Sequence, residues 1–469
     1  MKIIPLICYL CFIFPTFVVR AAEVTRPNIL FIFADDQRAD TIAALGNKVI
    51  KTPSLDRLVK RGVSFDRAYM QGGTHGATCV ASRAMLLSGQ SLFHIDEKLK
   101  RDQTWPAAFR DAGYLTFISG KWHNGDDSAP LSFEVAKKVF TGGMSDPLKI
   151  PLSDYVDGKM AAPTIQKNKH GCEIFSEEAI ACFTKKSDRP FFCYVPFDGP
   201  HDPHVVPDDF PIHYAAKDIP VPANFLPQHP FNNGDMVLRD EQLLPWPRSK
   251  EEIQQMLADY YRYITYLDSL VGRMLDALDK SPSAKNTIIV FSADSGVARG
   301  SHGLIGKQNL YEHSLRVPLI IAGPGIAENQ RTQAMCYLYD LLPTLGEWCH
   351  VKSPPKSDGI SFAKTLRDPS EKARDQLYFG YRDLQRGIRD DRWKLIHYPK
   401  INTTQLFDLE NDPYEVNDLA SNPDYTAQEK IMMDELEKQH QLADDKAPLH
   451  VEKPQPSAWK APNTKQKNN

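Results

Sequence analysis

Four short apolar runs, each ending in polar residues, constrain this chain more than any other feature. Asn28 to Ala34 ends in Asp35-Asp36, and Leu115 to Ser119 leads into Gly120-Lys121-Trp122-His123. Phe191 to Phe197 leads into Asp198-Gly199-Pro200-His201, and Thr287 to Ser292 into Ala293-Asp294-Ser295-Gly296. Unbroken apolar runs of this length are expected for strands buried on both faces. Leu55 to Arg61 and Lys250 to Lys280 carry apolar residues at helical spacing, the second with Ile253, Leu257, Tyr260, Ile264, Leu267 and Val271. Strands alternating with helices predict an α/β fold: a large mixed, mostly parallel sheet sandwiched by helices. In such sheets ligands gather beyond the carboxyl ends of the strands, so four polar strand ends predict one site.

The 469 residues suffice for more than one domain. Residues 1–22 resemble a secretory signal, with Lys2 at the charged end, an apolar stretch from Ile3 to Val19 and small residues at Val19-Arg20-Ala21. No other stretch is apolar enough to cross a bilayer, so a secreted or periplasmic protein without a membrane span after signal removal is expected. Residues 23–370 form the main α/β domain. From 371 to 445 short strands separated by turns, at Gln376 to Tyr381, Arg386 to Arg389 and Trp393 to Tyr398, precede a helix around Ala427 to Leu442. They predict a smaller antiparallel-sheet α+β subdomain. Residues 446–469, rich in Pro, Lys, Gln and Asn, are expected to be a disordered tail.

A net charge of −3 excludes a general basic surface, and with it nucleic acid as a partner. Of the eight cysteines, Cys8 and Cys11 leave with the signal. A disulfide such as Cys172 to Cys182 is permitted outside the cytoplasm, with connectivity open. Val205 to Pro247 is long, proline-rich and aromatic, and is expected to form an ordered wall beside the site. His229, Arg239 and Arg248 on it are candidate substrate contacts. The tyrosines 260, 261, 263 and 266 are expected to pack in core and rim.

Cys79 precedes Val80-Ala81-Ser82-Arg83 and the helix-forming stretch Ala84 to Leu87, with Gly72, Gly73 and Gly76 just before it. Its side chain is thereby expected near a helix N-terminus, where unpaired N–H groups favour anions. Asp35, Asp36 and Asp294 at strand ends would repel one another unless a cation joined them. Calcium fits such an irregular all-oxygen shell best.

Cys79-x-Ala81-Ser82-Arg83 resembles the sulfatase signature of cysteine, any residue, proline or alanine, serine and arginine. The blocks Asp35-Asp36, Gly120 to His123, His201-Asp-Pro-His204, Ser292 to Gly296 and Gly303 to Lys307 resemble the same family in the same order. The resemblance, from Asn28 to about Leu419, implies that Cys79 is oxidised to formylglycine by a formylglycine-generating or sulfatase-maturating enzyme. It further implies Asp35, Asp36, Asp294 and the modified Cys79 as metal ligands, Arg83 steadying the hydrated aldehyde, and Lys121, His123, His201 and Lys307 around a sulfate. Two positions depart from the pattern. Ser295 stands where asparagine or histidine usually supplies a further ligand, and Ala81 stands where proline is commoner.

The function this implies is hydrolysis of O-sulfate esters, on a sulfated polysaccharide or oligosaccharide. The alternatives are a phosphomonoester or phosphonate hydrolase of the alkaline-phosphatase superfamily and a catalytically silent binder of sulfated glycans.

Overall fold

The computed structural model describes residues 26–462, so the signal-like stretch lies outside the described residues. The strands of its two main sheets are β1 (Asn28–Ala34), β2 (Gly62–Tyr69), β3 (Gly72–Gly73), β4 (Leu115–Lys121), β5 (Val135–Phe140), β6 (Phe191–Pro196), β7 (Thr287–Ala293), β8 (Arg316–Ala322), β9 (Gln330–Tyr337), β10 (Leu377–Tyr381), β11 (Gln385–Arg389), β12 (Trp393–Tyr398) and β13 (Thr403–Asp408). The four apolar runs are β1, β4, β6 and β7. Every residue of β1, β6 and β7 is buried, as two-sided burial of unbroken apolar runs requires.

The large sheet has the order β9-β2-β8-β7-β1-β6-β4-β5. Its centre is parallel from β7 through β1, β6 and β4 to β5. β8 runs antiparallel to both β7 and β2, which makes the sheet mixed. Ala34 lies opposite Ala293, so Asp35 and Asp294 leave the sheet side by side. The four polar strand ends emerge at one edge.

Helices α1 (Pro53–Arg61) and α3 (Gly171–Thr184) pack on this sheet, α4 (Lys250–Asp279) packs on both of them, α2 (Thr78–Ser88) packs on β3, and α5 (Thr426–Leu442) packs on the smaller sheet. Ser249 and Glu252 close a capping box at the start of α4. Asp268, one turn from the middle of α4, accepts the Ser54 and Leu55 N–H groups at the start of α1, at 3.0 and 2.8 Å. The tyrosines of α4 serve packing as expected, with Tyr260 and Tyr263 fully buried.

The smaller sheet has the order β13-β12-β11-β10-β3. Tyr378, Ile388, Leu395 and Leu406 pack on Met432 and Leu436 of α5. Its fifth strand comes from far upstream: Gly72 pairs in parallel with Gly380. A Cβ at Gly72 would sit 1.8 Å from the Gly380 oxygen, and its φ of 134° also requires glycine. The segment entering α2 is therefore anchored to the C-terminal subdomain, which a division at 370 separates from it.

Residues Gln405 to Asp408 lie in strand β13. The six described cysteines are free, and Cys172 donates to Asp198 Oδ1 at 2.9 Å rather than pairing with Cys182. Of the tail expected to be disordered, the described part lies on the body. Gln455 N–H donates to the Lys400 carbonyl at 2.7 Å, and the Trp459 ring sits 5.6 Å from that of Trp246. Two aromatic rings in contact give that segment the apolar anchor its overall composition lacks. Among the described residues no helix is long and apolar enough to cross a membrane.

Candidate active site

Helix α2 starts at Thr78, so Cys79 is its second residue and sits on the floor of a cavity of about 270 Å³. The thiol is 2 % exposed and lies 3.4 Å from His123 Nδ1. Burial pushes its pKa up to about 11 although Lys307 and Lys121 pull the other way. At neutral pH it is a protonated thiol and a poor nucleophile in that form. Burial and the Lys121 charge push His123 down to about 2, so its ring is neutral. His123 and Asp36 both hold left-handed backbone, with φ of 64° and 62°, a conformation rare outside glycine and concentrated at functional sites.

Beneath the thiol three carboxylates meet three cations, all buried. Arg83 donates from Nε to Asp294 Oδ2 at 2.9 Å and from Nη2 to Asp35 Oδ2 at 3.2 Å. Lys121 pairs with Asp35, and Lys307 with Asp36. Burial alone would raise Asp35, but Lys121 and Arg83, with His201 and Lys307, hold it well below the usual carboxylate range. Asp294, buried and beside the Asp35 charge, is pushed up. Burial would depress Lys307, yet Asp36 and then Cys79 and Asp35 hold it well above the ordinary lysine range.

The backbone locks this cluster. Asp36 N–H donates to Asp294 Oδ1 at 3.1 Å, and the Tyr260 hydroxyl donates to the Asp36 carbonyl at 2.6 Å while accepting the Arg38 N–H at 3.0 Å. Two overlapping groups offer donor atoms within 4.8 Å of one another: Asp35 with Asp36 and His201, and Asp35 with Cys79 and Asp294. Asp35 Oδ1 is buried and has no hydrogen-bond partner among the described residues. A carboxylate oxygen left so, among hard oxygen donors, fits a divalent cation.

The structure brings Asp35, Asp36, Cys79, Arg83, Lys121, His123, His201, Asp294, Ser295 and Lys307 together. Cys79, His123, His201, Arg239 and Lys307 line the cavity. Lys121 and Arg83 lie beneath it instead. Lys121 splits its ammonium between Asp35 and the Gly143 carbonyl, 2.6 Å away, and Arg83 also reaches the Lys121 carbonyl at 3.0 Å. Buried carboxylates demand adjacent positive charge, and these two side chains supply it. Ser295 Oγ donates to Asp36 Oδ1 at 2.8 Å, so its hydroxyl fixes a carboxylate. His201 presents Nε2 at 3.7 Å from Asp36 Oδ2, while its Nδ1–H donates to the Asp202 carbonyl at 2.7 Å.

Two expected contacts are elsewhere. His229 is fully buried in an aromatic cluster, with Nδ1 on the Phe231 carbonyl at 2.7 Å and Nε2 on the Tyr311 hydroxyl at 3.0 Å. Its polar atoms are both used inside the core. Arg248 is buried against Glu241 at 2.8 Å and Trp246. Arg239 alone of the three reaches the cavity, pairing with Asp202 and, at 2.7 Å, with Asp240. The long loop is ordered and forms one wall through Leu238, Arg239 and Asp240. Met144, Gln308 and Asp240 also line the cavity and were not predicted. Gln308 adjoins Lys307 in sequence, a signal of a kind; Met144 carries none.

The sulfatase family model matches residues 27–351. A second model, described as the C-terminal part of N-sulphoglucosamine sulphohydrolase, matches residues 300–442. The chain is 27 % identical to an arylsulfatase of Clostridium perfringens, covering 88 % of this chain and 95 % of that one. It is 25 % identical to an N-acetylglucosamine-6-O-sulfatase of Bacteroides thetaiotaomicron, over 91 % of this chain and 88 % of the other. A solved structure described as in complex with its substrate D-glucosamine-2-N,6-O-disulfate superposes with a TM-score of 0.74 at 24 % identity, covering 91 % of this chain and all of that one. The phosphonate monoester hydrolase of Agrobacterium radiobacter shares the fold as well, with a TM-score of 0.72 at 22 % identity over 89 % of this chain and 96 % of its own.

Proposed function

The chain belongs to the sulfatase family and is a sulfuric ester hydrolase, and from that premise we propose that it removes O-sulfate from a sulfated saccharide through a formylglycine made from Cys79. The observation that carries this reading is the position of Cys79: first turn of α2, floor of the cavity, with Asp35 Oδ1 unpartnered beside it. A thiol held protonated is unsuited to attack, whereas a hydrated aldehyde at that position offers two hydroxyls.

Asp35, Asp36, Asp294 and the modified side chain would hold a calcium ion, with Ser295 orienting Asp36. When bound, that ion supplies positive charge that acidifies the attacking hydroxyl and draws the sulfuryl oxygens. The attacking hydroxyl gives its proton to solvent and forms a bond to sulfur as the sulfur–oxygen bond to the sugar breaks on the opposite side. Lys307, in the cavity wall, stabilises the charge building on the sulfuryl oxygens, and Lys121 and Arg83 keep Asp35 beneath ionised. His201 gives its proton to the departing sugar hydroxyl from Nε2. The Nδ1–H bond to the Asp202 carbonyl fixes the ring so that Nε2 faces Asp36 and the cavity. Neutral His123 then takes the proton of the second hydroxyl, the aldehyde reforms and sulfate leaves.

The saccharide assignment rests on the wall built by the long loop and on a cavity suited to a single sugar unit. The N-acetylglucosamine-6-O-sulfatase and a Δ4,5-hexuronate-2-O-sulfatase of Bacteroides thetaiotaomicron are relatives by name acting on sugars. Action outside the cytoplasm and maturation by a formylglycine-generating or sulfatase-maturating enzyme complete the reading. Desulfation across a panel of sulfated saccharides, run beside a phosphate ester, tests it. Faster cleavage of the phosphate ester would replace this reading with a phosphomonoester or phosphonate hydrolase.

A further inference from the structure

Lys307 directly follows a part of the β7–β8 connection that folds back on itself, with Ala298 N–H on the Gly306 carbonyl at 2.9 Å and Gly300 N–H on the Leu304 carbonyl at 2.8 Å. The outward N–H groups of Ile305 and Gly306, just before Lys307, both end on one carboxylate from another part of the chain. Glu241 Oε1 accepts the Gly306 N–H at 2.8 Å and the Ile305 N–H at 3.1 Å. Glu241 is 3 % exposed and belongs to the short turn Asp240–Leu243 of the long loop. Its other oxygen accepts Arg248 Nη2 at 2.8 Å, while Arg248 Nη1 donates to the Gly303 carbonyl. The buried pair thus grips both the tip and the last leg of the lysine connection.

The adjacent residue of the turn completes the hold. Asp240 Oδ2 accepts Gln308 Nε2 at 2.8 Å, that amide also donates to the Gly76 carbonyl at 2.8 Å, and Gln308 Oε1 accepts the Lys307 N–H at 2.9 Å. Lys307 is bracketed on both sides by one turn, and the same turn is tied to the segment entering α2.

We propose that Glu241 is a positioning residue that sets the place of the Lys307 ammonium over Cys79, so that the long loop governs sulfuryl binding as well as lining the cavity. This rests on the reading that Lys307 meets the sulfuryl group. A carboxylate suits the task because it accepts two backbone N–H groups and a guanidinium at once, which a neutral amide cannot. Loss of the anchor lets the lysine drift, and displacements of about 1 Å can cost roughly a hundredfold in rate.

The test is a double-mutant cycle of Glu241→Gln with Lys307→Ala, read as kcat/KM on the ester that the wild type cleaves and as affinity for inorganic sulfate by calorimetry. The expected result is a roughly tenfold to hundredfold loss of kcat/KM and a weaker sulfate affinity for Glu241→Gln alone, with little further loss when Lys307 is already alanine. Melting temperature should fall equally in both backgrounds. Equal activity losses with and without Lys307, or no loss at all, would overturn the proposal as a general packing effect. If Glu241→Gln does not fold, Glu241→Asp keeps the charge beside Arg248 while withdrawing the oxygens from residues 305 and 306, and the same coupling is expected of it. A wild type that cleaves phosphate esters faster than sulfate esters would overturn the sulfatase reading, while the cycle on that phosphate ester would still decide the role of Glu241.

Discussion

The Sγ of Cys79 and the Nδ1 of His123 lie 3.4 Å apart at the bottom of the cavity. The contact joins the first turn of one helix to the end of β4, and it puts a neutral base beside the atom that the proposed formylglycine hydrate would replace with two hydroxyls. Cys79→Ala is expected to lower turnover at least about a thousandfold, since it removes the nucleophile outright. His123→Ala should behave differently: one equivalent of sugar is released and turnover then stalls. Rapid-quench kinetics and intact mass of the quenched enzyme check this, the latter through accumulation of a sulfated side chain. Normal steady turnover by His123→Ala would remove it from the second step.

Charge balance under the thiol predicts how the protein responds to chelation. Asp35, Asp36 and Asp294 are matched by Arg83, Lys121 and Lys307, so the carboxylates keep partners whether or not a cation is bound. Calcium chelation is expected to abolish activity while leaving the far-ultraviolet circular dichroism unchanged, and added calcium should restore activity. Unfolding on chelation would show that the three cations do not suffice. Retained activity would remove the metal from the reaction.

Arg239 bridges the two walls of the cavity mouth, paired with Asp202 and Asp240 and touching Met144 Sδ at 3.2 Å. Its side chain is 45 % exposed, so its ion pairs are screened and contribute little to folding. Arg239→Ala should raise KM for a sulfated saccharide severalfold, with kcat and the melting temperature nearly unchanged, as its proposed role is to meet the sugar and not the sulfur. A loss confined to kcat would place it instead in the chemistry.

The sheet and the site were legible in the sequence for one physical reason: a strand buried on both faces must be apolar throughout, so its end shows as an abrupt change to polar residues. Asp35, Lys121, His201 and Asp294 all stand just past such a change. β13 was hidden because its Gln405-Leu-Phe-Asp stretch alternates weakly, and β3 because two glycines make no pattern at all. Residue type misleads where burial decides the role. His229 and Arg248 share a loop with Arg239, yet Tyr311 and Glu241 draw them into the interior, and only a three-dimensional contact separates them from the residue at the cavity. The Glu241 anchor was equally invisible, since its partners are backbone N–H groups some sixty residues away.

The misplaced histidine leads to a prediction about acid stability. Burial pushes His229 down to about 4, and His302, whose ring stacks on Tyr311 at 3.8 Å between centroids, down to about 3. Unfolded, both return to the ordinary histidine value near 6.5. Between that pH and about 4 the unfolded chain therefore binds protons that the folded chain does not, so stability rises with pH across the window. The contribution is fully present above pH 6.5 and is lost as pH falls through the folded value. For His229 it is on the order of 3 kcal/mol, at roughly 1.4 kcal/mol per pKa unit. His229→Gln should lower stability at pH 7, where the neutral ring is well accommodated, and flatten the dependence of unfolding free energy on pH from 6.5 to 4. Urea titrations of both proteins at several pH values measure the difference, in which the carboxylates common to both cancel. A slope unchanged by the substitution would mean that the buried ring accepts its proton without cost, against the two hydrogen bonds and the aromatic enclosure that hold it neutral.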